Sequence, residues 1–239
     1  MIHPAQRFAA PSTIQHGVPL KELMSRELIA LIAESFAAVC SEFDTKRFRA
    51  AAARGLDDLE LTPQAQHIAR ALGEQLPADF DDVAPLLIVA LGPELPTTEG
   101  NGLVSFFYLP HAHVIADRGL NHFKSVMLAN DELTKRFTTE FSIRPFLIEH
   151  RAACLRLLTN WISDSYPHVR RLASEGTRPR LPLAMRLREF QANPRFTLPL
   201  LERLKDDPDC MCDLRLRIIW PTSPTTIVPL ATASLQKRG

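Results

Sequence analysis

Two stretches, RFTTEFSIRPFL at 136–147 and HVRRLASEGTRPRL at 168–181, hold the densest run of arginines in the sequence. Between positions 136 and 188 there are ten arginines, no lysine and four acidic residues, a net charge of +6, whereas the whole chain of 239 residues carries only +1. A basic face on an otherwise acidic protein is typical of a surface that binds a polyanion. Arginine in particular grips phosphate through two parallel hydrogen bonds. The sequence therefore predicts a nucleic-acid-binding surface, and its arginines lack matching acidic partners in the sequence.

Two glutamates, Glu140 and Glu175, lie inside this basic segment. The simpler interpretation is a structural ion pair between each glutamate and a nearby arginine, and spacing alone favours it. The functional interpretation places a carboxylate against the sugar or base of bound DNA. There it could stabilise the positive charge that develops on deoxyribose as an N-glycosidic bond breaks, and orient the attacking water. The surrounding arginines would keep such a carboxylate ionised at neutral pH.

Composition excludes several other classes of protein. Hydrophobic residues make up 46% and charged residues 23% of the chain, which is typical of a globular protein. No apolar run is long enough to span a membrane, and the first residues, MIHPAQRF, lack the apolar core of a signal peptide. The four cysteines show no metal-ligand spacing, and no glycine-rich phosphate loop is present. We therefore expect a cytoplasmic protein of the bacterial cytosol or nucleoid, with no cofactor, no metal and no membrane partner.

Turn and cap signals predict an all-α protein. Asp44 is placed to cap a helix that Gly55 would end, and Thr62 followed by Pro63 is a typical start for the next helix. Another helix is predicted over residues 79–91. No segment alternates apolar and polar residues for long enough to indicate a strand.

The second half of the chain carries the same kinds of residues that start and end helices. Asn130 is predicted to cap a helix that Pro145 breaks, and a further amphipathic helix is predicted over 148–161. Pro167 should open a helix that Gly176 ends. Phe146 and Trp161 are predicted core residues, and the eight dispersed histidines, His168 among them, are interpreted as structural or surface residues.

A weak internal repeat supports a helical array. Four residues recur with a displacement of 43 positions: Leu157-Leu158, Trp161 and Asp164 return as Leu200-Leu201, Leu204 and Asp207. A two-helix period of about 40–47 residues is typical of HEAT-like repeats, which stack into a curved solenoid with a concave face.

Several long segments of the sequence resemble one protein family. The segments LTKRFTTEFSIRPFL and HVRRLASEGTRPRLPLA, together with GLDDLELTPQAQHIARAL, resemble the AlkC branch of the DNA alkylation repair glycosylases over residues 20–208. The resemblance implies a HEAT-like solenoid that cradles duplex DNA and excises cationic alkylated bases such as 3-methyladenine. It further implies a monofunctional, cofactor-free and monomeric enzyme that acts without fully flipping the base out of the duplex, unlike most glycosylases.

Carried over position by position, the resemblance assigns the acidic active-site positions to Glu140 and Glu175. The predicted DNA-binding residues are Arg136, Phe141, Arg144, Arg170, Arg171, Arg178 and Arg180. The alternative, from a different class, is a DNA-structure-binding or scaffold solenoid that keeps the basic cradle and has lost the chemistry.

The sequence departs from the family pattern in two places. Leu183 stands where the family has tryptophan, and the chain after Pro208 no longer follows the family, which would supply a further acidic residue there. We therefore expect three parts: a poorly ordered N-terminus (1–19), a HEAT-like DNA-binding domain (20–208) and an irregular tail (209–239). The last structured helix should end near Asp206. The tail is interpreted as the product of a shifted reading frame. A change of frame after codon 209 forces valine followed by either arginine or a stop codon, and further on it forces alanine and permits aspartate.

Overall fold

A computed structural model describes residues 2–95, 102–181 and 184–207, and every regular element in those ranges is helical. Short 3₁₀ turns at Leu20–Leu23, Leu56–Asp58, Val104–Tyr108 and Pro194–Phe196 separate some of the helices. The α-helices are α1 (Pro4–Arg7), α2 (Arg26–Ala37), α3 (Thr45–Ala53), α4 (Leu61–Gly73), α5 (Phe80–Ala90), α6 (Leu109–Arg118), α7 (Phe123–Thr134), α8 (Glu140–Glu149), α9 (Arg151–Trp161), α10 (Pro167–Glu175), α11 (Arg188–Ala192) and α12 (Leu198–Leu204).

The helices stack as a HEAT-like array, which confirms the predicted fold class. Helix α4 packs on α6, α5 on α7, α6 on α8, and α10 on α12, so that many helices contact the next but one along the chain. This is the pattern of helical pairs laid side by side in two layers. Fully buried aromatic side chains, including Phe36, Phe48, Phe80 and Phe107, fill one continuous core.

Some helix ends were predicted correctly from the residues next to them. The Asp44 carboxylate accepts hydrogen bonds from the backbone N–H of Lys46 and of Arg47, both at 3.0 Å, and so caps α3. Gly55 follows that helix with φ +67°, a left-handed conformation that suits glycine. The prediction at Thr62 was wrong, because α4 already begins at Leu61 and places Thr62 inside its first turn.

The prediction around α7 and α8 was also wrong. Asn130 lies within α7 instead of capping a helix, because its buried side chain accepts a hydrogen bond from the Ser142 hydroxyl. Pro145 lies inside α8 and does not end it. An interior proline costs a helix about 3 kcal/mol, and the complete burial of Phe146 and Leu147 next to it offsets that cost. The chain breaks at His150 instead, and the helix predicted from residue 148 begins at Arg151.

The two copies of the internal repeat lie on either side of one helix. Leu158 and Trp161 are buried in α9, Leu200 and Leu204 are buried in α12, and both helices pack against α10. The Pro167 prediction holds, because this residue is the first of α10.

The ends of the chain differ from one another. Residues 2–19, expected to be poorly ordered, instead include α1 and the buried Phe8, whose ring lies 5.9 Å from that of Phe107. Helix α12 ends at Leu204, two residues before the predicted limit of Asp206. Residues 208–239, with the predicted irregular tail, and Leu183 lie outside the described residues. Among the helices that are described, none combines the length and apolar character needed to cross a membrane.

Candidate active site

A cleft of about 420 Å³ opens where several parts of the fold meet. Side chains come from the start of α4, the segment after α5, the 3₁₀ turn before α6, α6 itself, the segment joining α7 to α8 with the start of α8, and α10. Its apolar wall is formed by Leu61, Leu95, Phe106, Leu109, Phe137 and Phe141, and its polar lining includes His113, Arg136, Thr138, His168 and Arg171. Three of the predicted DNA-binding residues, Arg136, Phe141 and Arg171, therefore meet in one concave place.

Glu140 lies beside this cleft as the first residue of α8. Its side chain is only 9% exposed, and its Oε1 lies 3.6 Å from a terminal nitrogen of Arg171 on α10. A carboxylate at the amino end of a helix is stabilised by the helix dipole, and the arginine adds a second favourable charge. Both are favourable interactions for a carboxylate in this position.

Glu175 is the last residue of α10 and pairs with Arg178, whose guanidinium donates to the carboxylate at 2.9 Å. Both side chains are less than one fifth exposed. The two glutamates belong to one charged cluster, because the guanidinium of Arg144 lies within electrostatic reach of both Glu140 and Arg178. The structural interpretation of the glutamates is thus correct in that each has an arginine partner.

The position of Arg144 contradicts the prediction that it binds phosphate. Its side chain is completely buried, and its three guanidinium nitrogens donate to the carbonyl oxygens of Met185 (2.6 Å), Gly176 (3.3 Å) and Pro179 (3.3 Å). A side chain so enclosed cannot reach a DNA backbone. Burial lowers the pKa of Arg144 to about 10, which leaves it cationic at neutral pH.

Arg136 and Arg170 are also held by the fold. Arg136 is 7% exposed and donates to the Gly92 carbonyl at 2.8 Å and to the Glu132 carboxylate at 3.1 Å. Arg170 binds the Asp207 carboxylate at 2.6 Å and the Asp164 carbonyl at 2.9 Å, which ties α12 to the turn before α10.

The expectation that the arginines lack acidic partners is therefore wrong. Arg136, Arg170, Arg171 and Arg178 each contact a carboxylate. Arg180 is exposed to solvent, and Arg171 keeps 28% of its side chain exposed. Of the predicted phosphate-binding set, these two side chains have the most access to a ligand.

Sequence reasoning missed the histidines of the cleft. His168, the second residue of α10, lines the cleft three positions before Arg171. Burial, with the nearby Arg171 cation, lowers the pKa of His168 to about 4, so that its imidazole is neutral at neutral pH. Burial also lowers the pKa of His113. The spacing of His168 and Arg171 on one helix face was a usable signal, but it does not show that distant segments close over that face.

One group of potential metal ligands is present among the residues described. Asp79, Asp81 and His122 bring their ligand atoms within 4.8 Å of one another on the surface. Both carboxylates are already engaged, because Asp79 accepts the N–H of Asp81 at 2.8 Å and Asp81 accepts the Ser125 hydroxyl at 2.6 Å. The group is a helix-capping network at the start of α5.

Comparison with known proteins finds similarity to a solved structure and to a curated protein. The alkylpurine DNA glycosylase AlkC of Pseudomonas fluorescens, solved bound to DNA containing an abasic-site analogue, superposes with a TM-score of 0.71 at 34% identity, over 84% of this chain and 52% of that one. The uncharacterized protein YhaZ of Bacillus subtilis is 29% identical over 189 residues, which is 79% of this chain and 50% of YhaZ. The chain thus spans about half the length of the relatives it matches. No family model matches the sequence.

Proposed function

Since this chain shares the fold of the AlkC branch of the DNA alkylation repair glycosylases and resembles it in sequence, we propose that it excises alkylated bases from DNA. The proposed reaction is hydrolysis of the N-glycosidic bond of a cationic base such as 3-methyladenine in duplex DNA. Water adds to the anomeric carbon of the deoxyribose, its proton passes to solvent, and the base leaves with the bonding electron pair as a neutral molecule. The proposed partner is therefore alkylated double-stranded DNA, bound by a monomer.

One observation carries the proposal: a buried, arginine-paired carboxylate beside an aromatic cleft. Glu140 lies against Arg171, and the next residue, Phe141, lines the cleft. As the glycosidic bond lengthens, positive charge develops on the sugar ring. A fixed carboxylate in a largely dry site stabilises that charge far more than it would in water. A cationic base is a good leaving group already, so this electrostatic assistance suffices for catalysis.

Glu175 provides the second anion of the cluster in this proposal. Its ion pair with Arg178 holds its carboxylate in one orientation. Glu175 lies one helical turn beyond Arg171, the residue that contacts Glu140, so Arg171 connects the two glutamates. We assign to the pair the roles of charge stabilisation and placement of the attacking water.

In this proposal the more exposed arginines contact the DNA. Arg180 is open to solvent, and Arg171 and Arg178 remain partly exposed beside the carboxylates. An arginine that touches both an active-site carboxylate and a phosphate would couple DNA docking to the position of that carboxylate. The buried Arg136 and Arg144, and the partly buried Arg170, lie behind this surface and support it.

The test is conversion of a single alkylated site in a duplex oligonucleotide into an abasic site, detected as strand cleavage after alkali. We expect cleavage with the native chain, and cleavage reduced by on the order of 10²-fold with Glu140→Gln, the usual effect of losing one electrostatic group. Glu149→Gln, an exposed carboxylate at the other end of α8, is the matched control and should leave cleavage unchanged. Duplex binding without any base loss would instead support the scaffold alternative.

A further inference from the structure

The backbone that follows α10 is organised around one buried cation. Arg144 extends from the second turn of α8, and each of its three guanidinium nitrogens donates to a different carbonyl oxygen. The acceptors, Gly176, Pro179 and Met185, lie after the end of α10. The chain also closes on itself there, because the Leu187 N–H donates to the Pro179 carbonyl at 3.0 Å.

The first of these acceptors caps a helix. Gly176 is the residue that ends α10, and a cation at the carboxyl end of a helix interacts favourably with the helix dipole. Burying an arginine without such partners would be costly. The three carbonyl groups, each at 3.3 Å or less, therefore explain how a completely buried guanidinium is tolerated.

This cation lies close enough to Glu140 and to Arg178, the partner of Glu175, to interact with both electrostatically. Arg144 is four residues after Glu140 on the same face of α8. Its other contacts begin at Gly176, one residue after Glu175, and continue one residue after Arg178.

We propose that Arg144 is a positioning residue: its guanidinium fastens the end of α10 and the segment after it to α8, and so sets the distance between Glu140 and the Glu175–Arg178 pair. This inference rests on the proposed function. The geometry of the fork is essential, since the guanidinium donates to the three carbonyls from three different nitrogens, whereas the three N–H bonds of an ammonium share one nitrogen. Lysine would keep the charge and lose this geometry.

The first arm of the experiment does not need activity. Hydrogen exchange is measured on the whole chain with Arg144→Lys and Arg144→Met, at the amides of Arg178 and Leu187. We expect faster exchange at both amides in both variants, whereas the Phe48 amide, bonded to the Asp44 carbonyl in α3, should not change. Unchanged exchange at Arg178 and Leu187 would overturn the proposal. If Arg144→Met fails to fold, the exchange measurement on Arg144→Lys still tests the proposal.

The second arm separates positioning from phosphate binding. Base release under single-turnover conditions should fall by tenfold to about 10²-fold in Arg144→Lys, the scale of a small misplacement of catalytic groups. The duplex dissociation constant and its salt dependence should stay the same. A salt slope reduced by about one unit would show that Arg144 contacts phosphate, and a fully active Arg144→Lys would show that charge alone matters; either result overturns the proposal.

Arg156→Lys, an exposed arginine on α9, is the matched control and should change neither measurement. If the native chain releases no base, the proposed function fails, and the exchange arm still decides whether Arg144 positions the segment after α10.

Discussion

The helices α2–α5 and the helices α7–α10 of the same array are held together by different interactions. In the first region the interior is apolar, with Phe36, Phe48 and Phe80 fully buried and only Ser35 and Gln64 as buried polar side chains. In the second region the interior also holds charges. The buried charged residues of the described chain are Arg136, Glu140, Arg144 and Glu175.

Buried charge is costly to folding, and well-packed apolar residues often stabilise a fold at least as well as an ion pair. The first region shows that this array can be built without buried charge. The second region therefore holds groups that stacking alone does not require, and they surround a cleft. The contrast supports the proposed site in α8–α10, with α2–α5 acting mainly as its scaffold.

The largest expected effect is on the stability of the scaffold region. Phe48→Ala removes a completely buried ring that lies 5.4 Å from that of Phe43, and should lower the free energy of unfolding by about 3–5 kcal/mol. Chemical denaturation measures the change. Base release per folded molecule should remain that of the native chain. A loss of activity without a loss of stability would break the division between the two regions.

The next effect is on chemistry. Glu175→Gln should cut base release by on the order of 10²-fold, equivalent to about 2.7 kcal/mol. Duplex affinity should be unchanged or slightly tighter, because a negative charge is removed. Both are measured on one preparation, by single-turnover kinetics and by fluorescence anisotropy. Undiminished excision would reduce Glu175 to a structural partner of Arg178.

A smaller effect is expected at a helix end of the scaffold region. Asp44→Ala removes the carboxylate that accepts the first N–H groups of α3, and should cost about 1 kcal/mol of stability. Asp44→Asn should retain most of that stability. Thermal unfolding of the two variants side by side tests the assignment, and equal losses would contradict it.

The smallest effect concerns DNA docking. Arg180→Ala should reduce the slope of log affinity against log salt by about one unit, since one phosphate contact is lost. Arg47→Ala, equally exposed on α3 of the scaffold region, should not change the slope. If the affinity of the native chain for duplex DNA does not depend on salt concentration, there is no basis for a phosphate-binding surface.

Sequence reasoning succeeded where the decisive contacts are local. Asp44 and Gly55 mark the ends of α3 through bonds and backbone angles within a few residues, and Pro167 opens α10 in the same way. It failed where contacts between residues far apart in the sequence determine the structure. Asn130 is held by Ser142 and therefore does not cap a helix.

The site shows the same limit. Charge patterning identified the basic segment and both glutamates, but it could not show which arginines find partners. Arg170 meets Asp207, 37 positions away, and Arg144 meets Met185, 41 positions away. The cleft was also beyond prediction, because Leu61, Phe106 and His168 come together only when separate repeats stack.

The central claim is that the charges buried in α8–α10 serve excision of alkylated bases. The most direct measurement is chromatography of the free bases released when the purified native chain is incubated with methylated duplex DNA. The account predicts release of 3-methyladenine, no release of unmodified adenine or guanine, and loss of that release in Glu140→Gln. Tight, salt-sensitive binding of the same DNA with no free base released would contradict it.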